Sequence, residues 1–180
     1  TIDYSKKGAT AIVVDFGQAT NNGLIKMDAA NGTGENSVGL FGASGSILTN
    51  SSTGEIQLGT RGVGIWGANK IDSSLASWSK NINIINAGKI RGIAGKEGVF
   101  GIYANNSEAG ASSTITHSGT IDLSQVTKSM GILMTKGTLT SSGNISVQDG
   151  SVGISAKDSD ITINGGTHTI GKESVGFKLT

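Results

Sequence analysis

Along this chain apolar and polar residues alternate over very short distances, and two three-residue patterns recur in strict alternation. The first is Gly-x-Ile: Gly23-Leu24-Ile25, Gly54-Glu55-Ile56, Gly88-Lys89-Ile90, Gly119-Thr120-Ile121 and Gly143-Asn144-Ile145, with Gly166-Thr167-His168 carrying His in the Ile place. The second sets Gly between two apolar residues: Val38-Gly39-Leu40, Val63-Gly64-Ile65, Phe100-Gly101-Ile102, Met130-Gly131-Ile132, Val152-Gly153-Ile154 and Val175-Gly176-Phe177. A third apolar segment follows, clearest at Ile47-Leu48, Ile82 and Ile84, Ile115, Leu139, and Ile161 and Ile163. The glycines of the first pattern lie 31, 34, 31, 24 and 23 residues apart, so the shortest spacing is the bare unit and the longer ones carry inserted loops.

Three short period-2 strands in a unit of ~20–25 residues predict one coil of a stacked parallel β-structure. The expected fold is all-β, a right-handed single-stranded parallel β-helix of about six coils with three short strands each, filling residues 1–180 as one segment with three parallel sheets. The right hand follows from the preference of parallel crossovers. A six-residue period and the Gly-Gly-x-Gly-x-Asp signature of calcium-binding solenoids are both absent. The 69–80 insertion sets Ile71, Leu75 and Trp78 at helical spacing behind Asp72, which predicts a short amphipathic helix.

Stacking at the interstrand spacing of ~4.8 Å turns equivalent positions into columns. The apolar residues of all three strands are expected to point inward, Val152 and Ile154 among them, with the glycines of the second pattern pointing out. Beside those glycines runs Phe41, Trp66, Tyr103, Leu133, Ser155, Lys178. A line of aromatics can stack on sugar rings or anchor a protein, so Phe41, Trp66, Tyr103 and Leu133, with Trp78 from the insertion, form the candidate partner-binding face. Alternatively, the insertion covers them, because large bare apolar patches are rare. A polar column, Asn21, Ser52, Asn86, His117, Ser141, Asn164, is expected at the turn before the first strand, with His117 as a solvated turn residue. His168 falls in a core slot at the last complete first strand, where only partial cover is expected.

Composition narrows the function. The 29 glycines, no Pro and no Cys leave no disulfide or thiolate metal site, and two histidines in columns of different depth make no metal centre, so no cofactor is expected. A formal net charge of +1 gives no electrostatic case for nucleic acid. No apolar run approaches the ~20 residues of a membrane helix. The first residues lack the apolar core of a signal peptide and the last stop inside the repeating pattern, so the chain reads as a piece of a longer protein.

The motif pattern, with Ser151-Val152-Gly153-Ile154-Ser155-Ala156 and its Ser/Asn-rich Gly-x-Ile units, resembles the passenger regions of large Gram-negative autotransporters, those of fusobacterial outer-membrane autotransporters in particular, and more loosely vacuolating-cytotoxin passengers. The resemblance implies type V secretion, display on the outer bacterial surface, and adhesion to host cells or other bacteria through a surface protein or glycan, without catalysis. The alternative is a carbohydrate-active β-helix enzyme, a lyase or glycoside hydrolase. That chemistry needs two carboxylates across a groove, or a base with cations. The column after Gly-x-Ile reads Lys26, Gln57, Arg91, Asp122, Ser146, Thr169, so it offers Asp122 alone, expected to pair with Arg91 at the surface, while Asp158 and Asp160 fall in a turn. Flat Thr-x-Thr ladders of the kind ice binders display do not run through the repeats. The two excised ends predict end-to-end self-association.

Overall fold

The computed structural model describes residues 1–4, 6–27, 35–43, 45–68, 81–106 and 110–180. These contain eighteen β-strands and no helix. Grouped by repeat, they are β1 (Ile2–Asp3), β2 (Thr10–Asp15), β3 (Gln18–Asn21); β4 (Leu24–Lys26), β5 (Val38–Ala43), β6 (Ile47–Asn50); β7 (Glu55–Leu58), β8 (Val63–Ala68), β9 (Ile82–Asn86); β10 (Lys89–Gly92), β11 (Phe100–Asn105), β12 (Ser113–His117); β13 (Thr120–Leu123), β14 (Met130–Ser141); β15 (Asn144–Val147), β16 (Val152–Ile163); β17 (His168–Ile170), β18 (Val175–Leu179).

Strands pair in parallel with their counterparts one repeat before and one repeat after. Ile90, for example, lies between Ile56 and Ile121, and Tyr103 between Trp66 and Leu133. The Gly-x-Ile strands build a seven-stranded sheet in the order β1-β4-β7-β10-β13-β15-β17. The remaining eleven form a second sheet, β2-β5-β8-β11-β14-β12-β9-β6-β3, with β16 paired to β14 and β18 to β16. Pairing thus yields two sheets where the repeat pattern predicted three. The reason lies in the corner between the second and third segments. In β14 and β16, each twelve residues long, the chain turns that corner through a single left-handed residue, Lys136 (φ 56°) or Asp158 (φ 50°), and continues as strand. Longer connections separate the two segments in the four preceding repeats.

One further set of strands precedes the first recognisable motif. Ile2 pairs with Ile25, and Thr10 and Ile12 pair with Val38 and Leu40, with Ala11 in the place later held by Gly. Tyr4 closes this end: its ring is buried, its hydroxyl donates to the carbonyl of Val38, and burial pushes its pKa up to about 12.

The core is one continuous cluster between the sheets. Ile25, Ile56, Ile90, Ile121 and Ile145 face Leu40, Ile65, Ile102, Ile132 and Ile154, with Leu48, Ile84, Ile115 and Leu139 closing the third side, and all are fully buried. Val99 and Val126, which lie in turns outside the three patterns, are buried too. Val126 fills the space over Gly92, where a Cβ would meet its methyl carbon at 2.6 Å.

The second strand departs from strict alternation. Along β11 the residues run half-buried, buried, buried, half-buried, buried, exposed, so Gly101 and Ile102 both face the core. The expected inward positions Val63, Phe100, Met130 and Val152 are instead half-buried on the outer side, Val175 is exposed, and Val38 alone of that column is buried. The glycines point in, not out. A Cβ on Gly101 would lie 2.5 Å from the carbonyl oxygen of Gly131 and 2.9 Å from Cγ2 of Ile121. Two consecutive inward residues are tolerated only because one of them has no side chain.

Candidate functional site

The break in alternation puts the first and fourth residues of each second strand on the same outer face. The line Phe41, Trp66, Tyr103, Leu133, Ser155, Lys178 is in register from repeat to repeat, and Val13 of β2 extends it at the other end. Phe41 to Leu133 are each half-buried. Phe41 and Trp66 meet edge-to-face with ring centroids 5.3 Å apart, and Trp66 and Tyr103 are tilted at 5.6 Å. Such offset and edge geometries are the favoured ones for aromatic pairs. Phe100 joins from the neighbouring column, its ring 5.7 Å from Tyr103, because Gly101 has turned it outward. Sequence alternation placed Phe100 in the core and therefore missed it. The Trp66 indole Nε1 is buried and has no hydrogen-bond partner among the described residues. Trp78, Ile71 and Leu75, and with them the expected helix over 69–80, lie outside the described residues.

A second feature runs through the interior. The polar column consists of Asn21, Asn50, Asn86, His117 and Ser141, followed by Ile163, so Asn50 and Ile163 take the places expected for Ser52 and Asn164. The difference arises because the turns after Asn50 and after Ile163 are longer than the others, which shifts the count back from the motif glycines Gly54 and Gly166. All five polar members are buried. Asn21 Nδ2 donates to Asn50 Oδ1 at 2.9 Å, Asn50 Nδ2 to Asn86 Oδ1 at 2.9 Å, and Asn86 Nδ2 lies 3.1 Å from His117 Nδ1. His117 Nε2 lies 3.2 Å from the carbonyl oxygen of Asn144. His117 is thus no solvated turn residue: it is completely buried, and desolvation lowers its pKa below the usual imidazole range.

A shorter serine ladder stands at the turn before the second strand. Ser129 Oγ and Ser151 Oγ are 3.1 Å apart, Ser129 N donates to Ser151 Oγ, and Ser151 N donates to Ser174 Oγ. Its signal was present in the sequence as Ser just before the second pattern in Ser37-Val38-Gly39, Ser129-Met130-Gly131, Ser151-Val152-Gly153 and Ser174-Val175-Gly176. His168 pairs with Ile145, is half-buried, and packs against Phe177 with centroids 5.3 Å apart.

Several charged residues are paired at the surface. Arg91 Nε donates to Glu55 Oε1 at 2.7 Å, and Gln57 Nε2 donates to the same oxygen at 2.7 Å. The Arg91 bond, chiefly, holds the Glu55 carboxyl below its ordinary pKa. Arg91 and Asp122 are register neighbours, but the expected pair is replaced by this bond to Glu55. Asp122 Oδ1 accepts from the hydroxyl of Ser124 at 2.7 Å and from its backbone N–H at 3.2 Å. Glu35 pairs with Lys7 at 3.0 Å and Arg61 at 3.2 Å, and its pKa is lowered, first by the Lys7 bond. Lys128 pairs with Glu97 at 3.2 Å. Asp158 and Asp160 are exposed. Among the described residues no three His, Asp or Glu side chains stand where they could hold a metal ion, and no helix is long and apolar enough to cross a membrane.

No protein-family model matches the chain, and neither the curated proteins nor the solved structures give a significant match.

Proposed function

We propose that the chain is a segment of a right-handed single-stranded parallel β-helix, about six coils of three short strands, and that it serves as a non-catalytic structural or adhesive part of an autotransporter passenger displayed on a bacterial surface. The repeat-to-repeat parallel register supports the helical winding, since each strand pairs only with its counterparts in adjacent repeats, and the crossover preference supports the right hand. The family reading rests on the motif resemblance. The observation that carries an adhesive role is the outer line Phe41–Trp66–Tyr103–Leu133, widened by Phe100, in which ring follows ring at 5.3 and 5.6 Å. A line of aromatic edges and faces in register suits a glycan or an extended protein segment of the host or of another bacterium.

The test is binding of the 180-residue chain to a glycan array and to host and bacterial cells, with Trp66→Ala beside the wild type. Loss of adhesion at an unchanged melting temperature supports the aromatic line as the contact. Equal adhesion of both proteins removes that face from the binding site, and failure of the wild type to bind anything leaves a stalk as the better role.

A further inference from the structure

The asparagine ladder has a direction, and one residue sets it. Asn50 Nδ2 donates to Asn86 Oδ1, which leaves Asn86 Nδ2 as the atom facing His117 Nδ1. That nitrogen must therefore accept. On the other side of the ring the facing atom is the carbonyl oxygen of Asn144, which can only accept, so Nε2 must carry the proton. Two independent contacts demand the same neutral tautomer.

We propose that His117 is an acid-sensitive latch between the repeat that ends in β12 and the one that begins after β14, closed while the imidazole is neutral and opened when it gains a second proton. Protonation would turn Nδ1 into a donor facing a donor. The usual remedy, reversal of the neighbouring amide, is blocked along the whole ladder. Reversing Asn86 sets its Nδ2 against Asn50 Nδ2. Reversing Asn50 and Asn21 as well turns their oxygens toward the carbonyls of Lys89 and Glu55, to which Asn50 Nδ2 and Asn21 Nδ2 now donate at 3.3 and 3.4 Å. Nor can the ring swing aside. It is seated over Gly143, where even a Cβ would come within 2.7 Å of His117 Nε2.

The surroundings compensate a second proton only in part. β9 presents the Asn86 side-chain amide and also its backbone, which with the Asn144 carbonyl at the turn into β15 favours the charged ring, and β14 presents the Ser141 side chain. The titratable group whose charge acts on His117 is His168 of β17, and it is of like sign. Burial outweighs the two hydrogen bonds and holds the imidazole neutral. The sign of the linkage follows. A base whose pKa is depressed by folding contributes its stability above its unfolded pKa of ~6.5, and that contribution is lost as pH falls from ~6.5 toward the folded value. What the latch holds is local: Ser142 N and Gly143 N both donate to the His117 carbonyl, at 2.9 and 3.1 Å.

The experiment combines three proteins and two readouts. Urea midpoints at pH 7.5 and pH 5.0 are expected to fall for the wild type and for His168→Gln, and to stay level for His117→Asn, which continues the ladder with a side chain that does not titrate. A fall of equal size in His117→Asn, or its disappearance in His168→Gln, overturns the proposal. If His117→Asn does not fold, the wild type alone decides. Imidazole nitrogen shifts are expected to show the Nε2–H tautomer and a titration below ~6.5, with exchange of the Ser142 and Gly143 amides, corrected for intrinsic rates, faster at pH 5.0. The opposite tautomer, a titration at or above ~6.5, or unchanged exchange rejects the latch. It requires no surface ligand, so its failure leaves the adhesive reading untouched, and the reverse holds.

Discussion

At the residue scale the most consequential contrast is between side chains that are interchangeable and those that are not. Ile132 and Ile154 are fully buried in mid-stack with a neighbour above and below. Truncation of either to Ala is expected to cost about 2–5 kcal/mol, through lost burial and the cavity left behind. Asp122→Ala removes bonds to Ser124 within a half-exposed turn and is expected to cost well under ~1.5 kcal/mol. Urea unfolding of the three variants measures the difference, and a reversed order would overturn the core assignment. These buried positions were legible in the sequence, since the Ile of each Gly-x-Ile copy through Ile145 is fully buried. The depth of His117 was not. Asn, Ser and His at a turn are ordinarily solvated, and only the stacking of Asn21, Asn50 and Asn86 in three dimensions supplies the partners that let a polar column be buried.

At the scale of the element, the recurring glycines answer to the neighbouring repeat more than to their own strand. In Gly119 a Cβ would fall 2.0 Å from the carbonyl oxygen of Gly88, a backbone atom that cannot move aside cheaply. Gly23 holds the same motif position one end of the stack away, and a Cβ there meets nothing within 4 Å. Gly119→Ala is therefore expected to be strongly destabilising and Gly23→Ala close to neutral, although sequence pattern treats them alike. Thermal unfolding of the pair checks this, and equal melting temperatures would contradict it. The same cross-repeat constraint explains where the sequence misled. Strict alternation put Val63, Phe100 and Met130 inside and the glycines outside, whereas the close approach of one backbone to the next, as at Gly101 under Gly131, needs the bare residue on the core side. The outer line from Phe41 to Leu133 survived because it lies beyond the break, and Phe100 was lost to it because it lies before.

At the scale of the whole molecule the two ends of the stack match. β2 exposes Val13 at one end, and β18 exposes Val175, Phe177 and Leu179 at the other. Continuing the observed register across two copies, Phe177 would meet Ile12, Leu179 would meet Val14 and Ile170 would meet Tyr4, apolar on apolar in these three columns, while Val175 would meet Thr10 and Lys178 would meet Val13. Such a contact is heterologous and does not close, so it grows in line. Sedimentation of the 180-residue chain is expected to show concentration-dependent association that Phe177→Lys reduces; a monomer at every concentration would refute the expectation.

The parallel register has a last consequence, for the history of such a chain. Because strand pairing joins each repeat only to the two beside it, length is no part of what that pairing defines. Deleting the 24 residues from Gly119 to Ser142 would join Ser118 to Gly143 and still leave a Gly-x-Ile strand to succeed β10. Copying them would lengthen the stack without asking any other residue to change. Genes of this kind can gain and lose whole units by unequal recombination between their own repeats, and related chains are expected to differ by multiples of one unit more readily than by single residues within a strand.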